Sequence, residues 1–133
     1  MPPRFDHEKL NVYQRSLAFV AWSAETTENI SRKHPVCSQL DRAATSIPLN
    51  IAEGNGRHTA ADRCRFFDIA RGSALECAAA LDVLTARKLV PETEVESGKQ
   101  VLAEIVAMLV GLIRSNSESR MCEDGVSYRS MAG

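Results

Sequence analysis

Ser46–Arg57 reads SIPLNIAEGNGR. Leu40, Ala44, Ile47 and Ile51 step toward and through it by fours and threes, the spacing of one helical face, with Ala43 and Gly54 alongside. The spacing predicts a helix from Pro35, a favoured first residue, to about Gly56. Pro48 stands inside it. A proline there removes one backbone donor and crowds the carbonyl of Ala44, so a bend is expected, with Thr45 or Ser46 free to satisfy that carbonyl. Ser46, Asn50, Glu53 and Arg57 fall on a polar stripe at the edge of the apolar one. Glu53 and Arg57 make an i,i+4 pair in the favourable order, worth about 0.2–0.5 kcal/mol. Gly54 removes a side chain beside Asn50 and lets a neighbouring element come close. Gly56 is placed to end the helix as a left-handed cap. The stretch is therefore structural, with Asn50 and Glu53 expected to fix this helix against the next, through Ser73 and Glu76 as partners.

Three further helices are read outward from this one. The first spans about Asp6 to Ile30, with Leu10, Tyr13, Leu17, Val20, Ala24 and Thr27 as its core stripe. Val12, Phe19 and Ile30 fall nearly opposite. The third begins at Thr59, where Thr59 and Asp62 have capping-box spacing. Its stripe is Phe66, Ala70, Ser73, Ala74, Cys77, Ala80, Leu81 and Leu84, small in the middle, which admits a close neighbour. The fourth follows Pro91, with a T-x-x-E box at Thr93–Glu96. Val95, Leu102, Ile105, Val106, Leu109 and Ile113 fill one face, and Val101, Met108 and Leu112 widen it. A monomer needs a stripe of about 100° only. The extra apolar lines (Val12, Phe19 and Ile30 on the first helix; Val101, Met108 and Leu112 on the fourth) are candidate oligomer contacts. Residues 1–116 are read as one all-α, antiparallel up-down four-helix bundle, joined by short connections. Residues 117–133 lack periodicity and are expected to form a mobile C-terminal tail.

The 133 residues suit one domain with a real core, and 44% of them are apolar. A net charge of −1 gives no global pull toward nucleic acid or membrane. Lys and Arg slightly outnumber Asp and Glu before Pro91, and acids dominate after it, so any anion-binding face belongs to the first three quarters of the chain. The longest apolar run, VLAEIVAMLVGLI at 101–113, is too short to span a bilayer. The N-terminus carries no apolar leader segment, which leaves the cytoplasm as the expected location. Cys37, Cys64, Cys77 and Cys122 have no metal-ligand spacing, and neither do the three histidines. All four are expected as reduced thiols, with Cys77 in the core and the others at its boundary or on the surface. No metal or cofactor is expected.

GNGR lacks the GxxxxGK[ST] spacing, and no strand precedes it, so the pattern gives a phosphate loop little support. A catalytic reading would rest on Glu53 alone, and one carboxylate beside an arginine more often makes a structural ion pair. Nucleic acid is the stronger competitor. Arg42, Arg57, Arg63, Arg65 and Arg71 cluster around the second helix and the start of the third, interleaved with Asp41, Glu53, Asp62 and Asp68. In one copy that patch is nearly neutral, whereas an oligomer could converge its arginines on phosphates.

LNVYQRSLAFV, QLDRAATSIPLNIAEGNGR and FFDIARGSALECAAALDVL resemble the four-helix-bundle family that includes the 23S rRNA-intervening-sequence proteins. The accessory variability protein of diversity-generating retroelements is a more distant relative. The resemblance covers about residues 8–115. It implies an antiparallel bundle that assembles into a homo-oligomer, typically a pentamer, with no established enzymatic activity. In the retroelement branch it also implies a basic surface for RNA or DNA and a reverse transcriptase as partner. Two departures weaken that last implication: Asp41 stands where the family often has an arginine, and the stretch from Pro35 to Gln39 is short. The expected role is a non-enzymatic, homo-oligomeric interaction or scaffold protein, with a nucleic-acid-binding accessory protein as the alternative.

Overall fold

The computed structural model describes the backbone of residues 2–124 and the side chains of residues 2–117. A short 3-10 turn, Asp6–Lys9, precedes four helices: α1 (Asn11–Thr27), α2 (Pro35–Asn55), α3 (Ala60–Ala86) and α4 (Glu92–Asp124). No strand occurs among the described residues, so the chain is all-α. Each helix packs on two others: α2 on α1 and α3, and α4 on α3 and α1. This closes a four-cornered bundle in which α1 and α3 sit on one diagonal.

Residue pairs give the directions. Ser46 on α2 meets Ser73 on α3, and Gly54 meets Phe67, so one number climbs as the other falls. The same holds between α3 and α4, where Asp82 meets Lys99 and Arg63 meets Asn116. It holds again between α1 and α4, where Arg15 meets Glu104 and Trp22 meets Gly98. Each of these three pairs is antiparallel, and α1 is therefore parallel to its diagonal partner α3.

The core is three seams of threes and fours. Cys37, Leu40, Ala44, Ile47, Ile51 and Gly54 bury one edge of α2, and Phe67, Ala70, Ala74, Cys77, Leu81 and Leu84 bury one edge of α3. On α4 the buried line is Val95, Gly98, Leu102, Ile105 and Leu109. Such 3-4-3 spacing keeps an apolar line facing its neighbour along a bundle. The seam of α3 runs through Phe67 rather than the expected Phe66, which is half-buried at the α2–α3 edge. Cys37, expected near the surface, is fully buried.

α1 differs most from its sequence reading. Its buried line is Val12, Ser16, Phe19, Ser23 and Thr27, while Leu17 remains 39% exposed. Phe19 is 0% exposed and Val12 nearly so; neither has surface to offer a partner, and both leave the set of candidate oligomer contacts. Ile30, Val101, Met108 and Leu112 are half-buried and pack against the core. The hydroxyls lower the cost of turning α1 this way. Ser16 donates to the Tyr13 carbonyl at 2.7 Å, Ser23 to Val20 at 3.0 Å and Thr27 to Ser23 at 2.8 Å. A buried hydroxyl satisfied by its own helix carries little of the usual desolvation penalty.

The helix ends also shift. Leu10 is extended and separates the 3-10 turn from α1. Thr59 caps α3 as expected, accepting from the Asp62 N–H at 3.1 Å. α4 starts at Glu92, so Thr93 lies within its first turn and is not the cap. Gly56 has φ −85° and is not left-handed. The left-handed residue is Lys88, φ 60°, just beyond α3. There the Leu89 N–H donates to the Leu84 carbonyl and the Lys88 N–H to Thr85, both at 2.9 Å. That is the Schellman pattern, with lysine in the place where glycine is usual. α4 remains helical to Asp124, past the boundary drawn at residue 116, and the rest of the expected tail lies outside the described residues.

Candidate functional site

The SIPLNIAEGNGR segment sits at the α2–α3 edge. Gly54 is the close point of this contact. A Cβ there would lie 2.9 Å from Phe67 Cε1 and 3.0 Å from Phe66 Cβ, so only glycine lets the two helices meet at this spacing. A few turns away, the Ser46 and Ser73 hydroxyls share a hydrogen bond of 2.8 Å. Asn50 Nδ2 donates to the Ser46 carbonyl at 2.8 Å and to Ser46 Oγ at 2.9 Å. Asn50 thereby orients the serine that reaches across to α3. Pro48 is buried within α2.

Ser46 reaches Ser73 across the edge, a pair the sequence did not single out, while Asn50, expected to brace α3 itself, bonds only Ser46 on its own helix. Glu76 is exposed on α3 and makes no hydrogen bond or ion pair among the described residues. Glu53 is 55% exposed and pairs with Arg57 at 3.4 Å, without a contact to α3. Such an exposed pair contributes little, about 0–1 kcal/mol.

The arginines fall into two groups. Arg63 is committed inside the fold: it donates to Asn116 Oδ1 at 3.0 Å and to the Asn55 and Arg57 carbonyls at 2.8 and 3.3 Å. It ties the end of α2 to α3 and α4 and is removed from the candidate nucleic-acid residues. Arg57 and Arg65 both stack on Phe66, with guanidinium carbons 4.7 and 4.5 Å from the ring centroid. Arg57 Nε is buried without a hydrogen-bond partner. Arg65 meets Asp62 at 3.5 Å, and Arg71 meets Asp68 at 2.9 Å. Arg42 is exposed on the outer face of α2, beside Asp41, Thr45 and the well-exposed Leu49. Most of the patch is thus internally neutralised.

Nothing among the described residues gathers three or more His, Cys, Asp or Glu side chains into a metal-binding group. Cys37, Cys64 and Cys77 are free thiols, and burial pushes the Cys77 thiol up to about 12, with Glu76 adding to the shift. A thiol so far from ionisation is a packing group and a poor nucleophile. Among the described residues no helix is long and apolar enough to cross a membrane.

A family model, the 23S rRNA-intervening sequence protein, matches residues 8–111, most of the bundle. The chain belongs to that family. The 23S rRNA-intervening sequence match contains both the Gly54 contact and the Ser46–Ser73 bridge. Among solved structures, a protein of unknown function from the S23 ribosomal protein family of Bacteroides thetaiotaomicron is similar, at TM-score 0.71 and 26% identity. The likeness covers 77% of this chain and 97% of that one. No curated protein matches the chain.

Sequence reasoning missed the contact between Trp22 and Gly98. A Cβ on Gly98 would overlap the outer edge of the Trp22 indole. The only signal was a glycine inside a helix, which marks a close approach without saying whose.

Proposed function

We propose that this chain is a non-enzymatic interaction or scaffold protein that works as a homo-oligomer, a pentamer, in the cytoplasm. The observation that carries this reading is the set of large apolar side chains left outside a bundle whose interior is already filled. Leu17, Leu49, Ile69, Leu75 and Val83 are each at least 39% exposed. Scattered exposed apolar residues are ordinary, but Leu75 borders an apolar groove between α3 and α4, a surface that favours a protein partner. The free cysteines fit a reducing compartment. Sedimentation or light scattering at micromolar concentration tests the reading, with a multiple of the 14.6 kDa chain mass expected. A single-chain mass would sink it.

A second reading, a nucleic-acid-binding accessory protein working with a reverse transcriptase, rests on Arg57 and Arg65 stacked on Phe66 at the α2–α3 turn. Guanidinium groups fixed on an aromatic face are suited to phosphate and base stacking. Copies set side by side would bring several such turns together. Affinity for RNA or DNA should fall steeply with salt and weaken further in an Arg57→Ala, Arg65→Ala variant. Absence of binding by the assembled protein at low salt removes this reading and leaves the first intact.

A further inference from the structure

The α2–α3 turn holds two flat cations in place. Arg57 and Arg65 both lie over the Phe66 ring, and Arg57 Nε is buried. Phe66 is itself held at the α2–α3 edge, where only a glycine at position 54 leaves room for its Cβ. A guanidinium fixed in this way loses little further freedom when something packs on it. Each keeps an open side, since the Arg65 side chain is 59% exposed and that of Arg57 40%.

A second pair of arginines lies across α3. Arg71 and Arg114 line a groove of about 390 Å³ between α3 and α4, with Ser117 beside them. The Arg63–Asn116 and Asp82–Lys99 contacts put Arg114 level with residues 65–67 of α3. The Phe66 stack and the groove therefore stand at one height on either side of α3, about 10–12 Å apart, the diameter of a helix. We propose that a single strand of RNA or DNA crosses α3 here, with a base stacked on the Arg57–Phe66–Arg65 platform and a phosphate on Arg71 and Arg114. This rests on the nucleic-acid reading above and names its class as single strands.

Charge alone would favour a duplex, the denser polyanion. Here that advantage is reduced. Arg57, Arg65 and Arg71 each have a carboxylate neighbour in Glu53, Asp62 and Asp68, and only Arg114 has none among the described residues. The turn offers flat faces instead. In a duplex the base faces lie on one another, and only an unpaired strand can turn one outward onto a guanidinium plane. Successive phosphates of one strand rise by about 3.4 Å in a duplex, so a few nucleotides cover the distance from stack to groove.

Fluorescence anisotropy of the full chain tests this at low salt, with a labelled oligothymidine and a labelled hairpin duplex of equal length. The single strand should bind about tenfold tighter, the gain from one stacked base. Arg65→Lys keeps the charge but loses the plane, and should remove most of that preference while duplex binding is unchanged. Arg114→Gln should weaken both probes alike. A duplex that binds as tightly as the single strand overturns the proposal, and so does an Arg65→Lys variant with the preference intact; in both cases the nucleic-acid reading survives. An Arg114→Gln variant that binds as the unmodified chain does overturns the path across α3. If neither probe binds the unmodified protein, the proposal and the nucleic-acid reading fall together. Circular dichroism confirms that each variant is folded, and Arg57→Lys replaces Arg65→Lys if that variant is not.

Discussion

Trp22 lies against Gly98 so closely that a methyl group on the glycine would overlap the indole. α1 and α4 are held together at this point, a few turns from the Arg15–Glu104 ion pair. Gly54 plays the matching part between α2 and α3. In contrast, a Cβ at Gly72 or Gly111 meets nothing within 4 Å. Gly98→Ala and Gly54→Ala are therefore expected to destabilise by about 1–3 kcal/mol through overpacking. Gly72→Ala should stabilise by about 0.5–1 kcal/mol, since only the helical preference of alanine is at stake. Urea unfolding of the three variants checks the signs, and a stabilised Gly98→Ala would refute the packing account.

Lys88 holds a left-handed backbone at the end of α3. That conformation costs a residue with a side chain about 1–2 kcal/mol, part of which glycine returns through its freer unfolded state. Lys88→Gly is expected to gain about 0.5–1 kcal/mol, read as a higher Tm. Gly56→Ala should be nearly neutral by the same measurement, because Gly56 is right-handed and its Cβ would make only ordinary contacts.

Asn50 donates both its hydrogen bonds to Ser46, and Ser46 shares one with Ser73. Asn50→Asp replaces those donors with a carboxylate facing a carbonyl, and about 1–3 kcal/mol of stability should be lost. Ser46→Ala and Ser73→Ala should each cost about 0.5–1.5 kcal/mol, and the double variant less than their sum. Fully additive losses in denaturant titrations would show that the bridge contributes nothing.

Glu104 accepts from Arg15, and that hydrogen bond holds its carboxyl below the ordinary 4.5. The folded chain thus binds this proton less readily than the unfolded chain. The contribution is present above 4.5 and is lost as the pH falls through the lower folded value. Thermal melts between pH 6 and 3 should show Glu104→Gln losing less Tm than the unmodified protein over that acid window. Lys99 behaves oppositely: its hydrogen bond to Asp82 raises it above 10.5, so its contribution is present below 10.5 and disappears at higher pH.

Much of this was readable in order along the chain. α2, α3 and α4 carry apolar side chains at threes and fours, small through the middle of α3 and spread over a wider arc on α4. That periodicity determined the four helices, the inward edge of three of them and the Thr59 cap, but not that Ser46 rather than Asn50 reaches Ser73. α1 has two lines of similar weight, one through Leu17 and Val20 and one through Val12 and Phe19. Local pattern favoured the first because the second includes Ser16 and Ser23; Thr27, read with the first, is buried with the second. Only the tertiary structure decided between them. The hydroxyls could be buried cheaply on their own helix carbonyls, and the turn that buried them set Trp22 over Gly98 and left Leu17 outside. A helix's rotation about its axis depends on the shape of every neighbour it meets, and no stretch of one helix contains that shape.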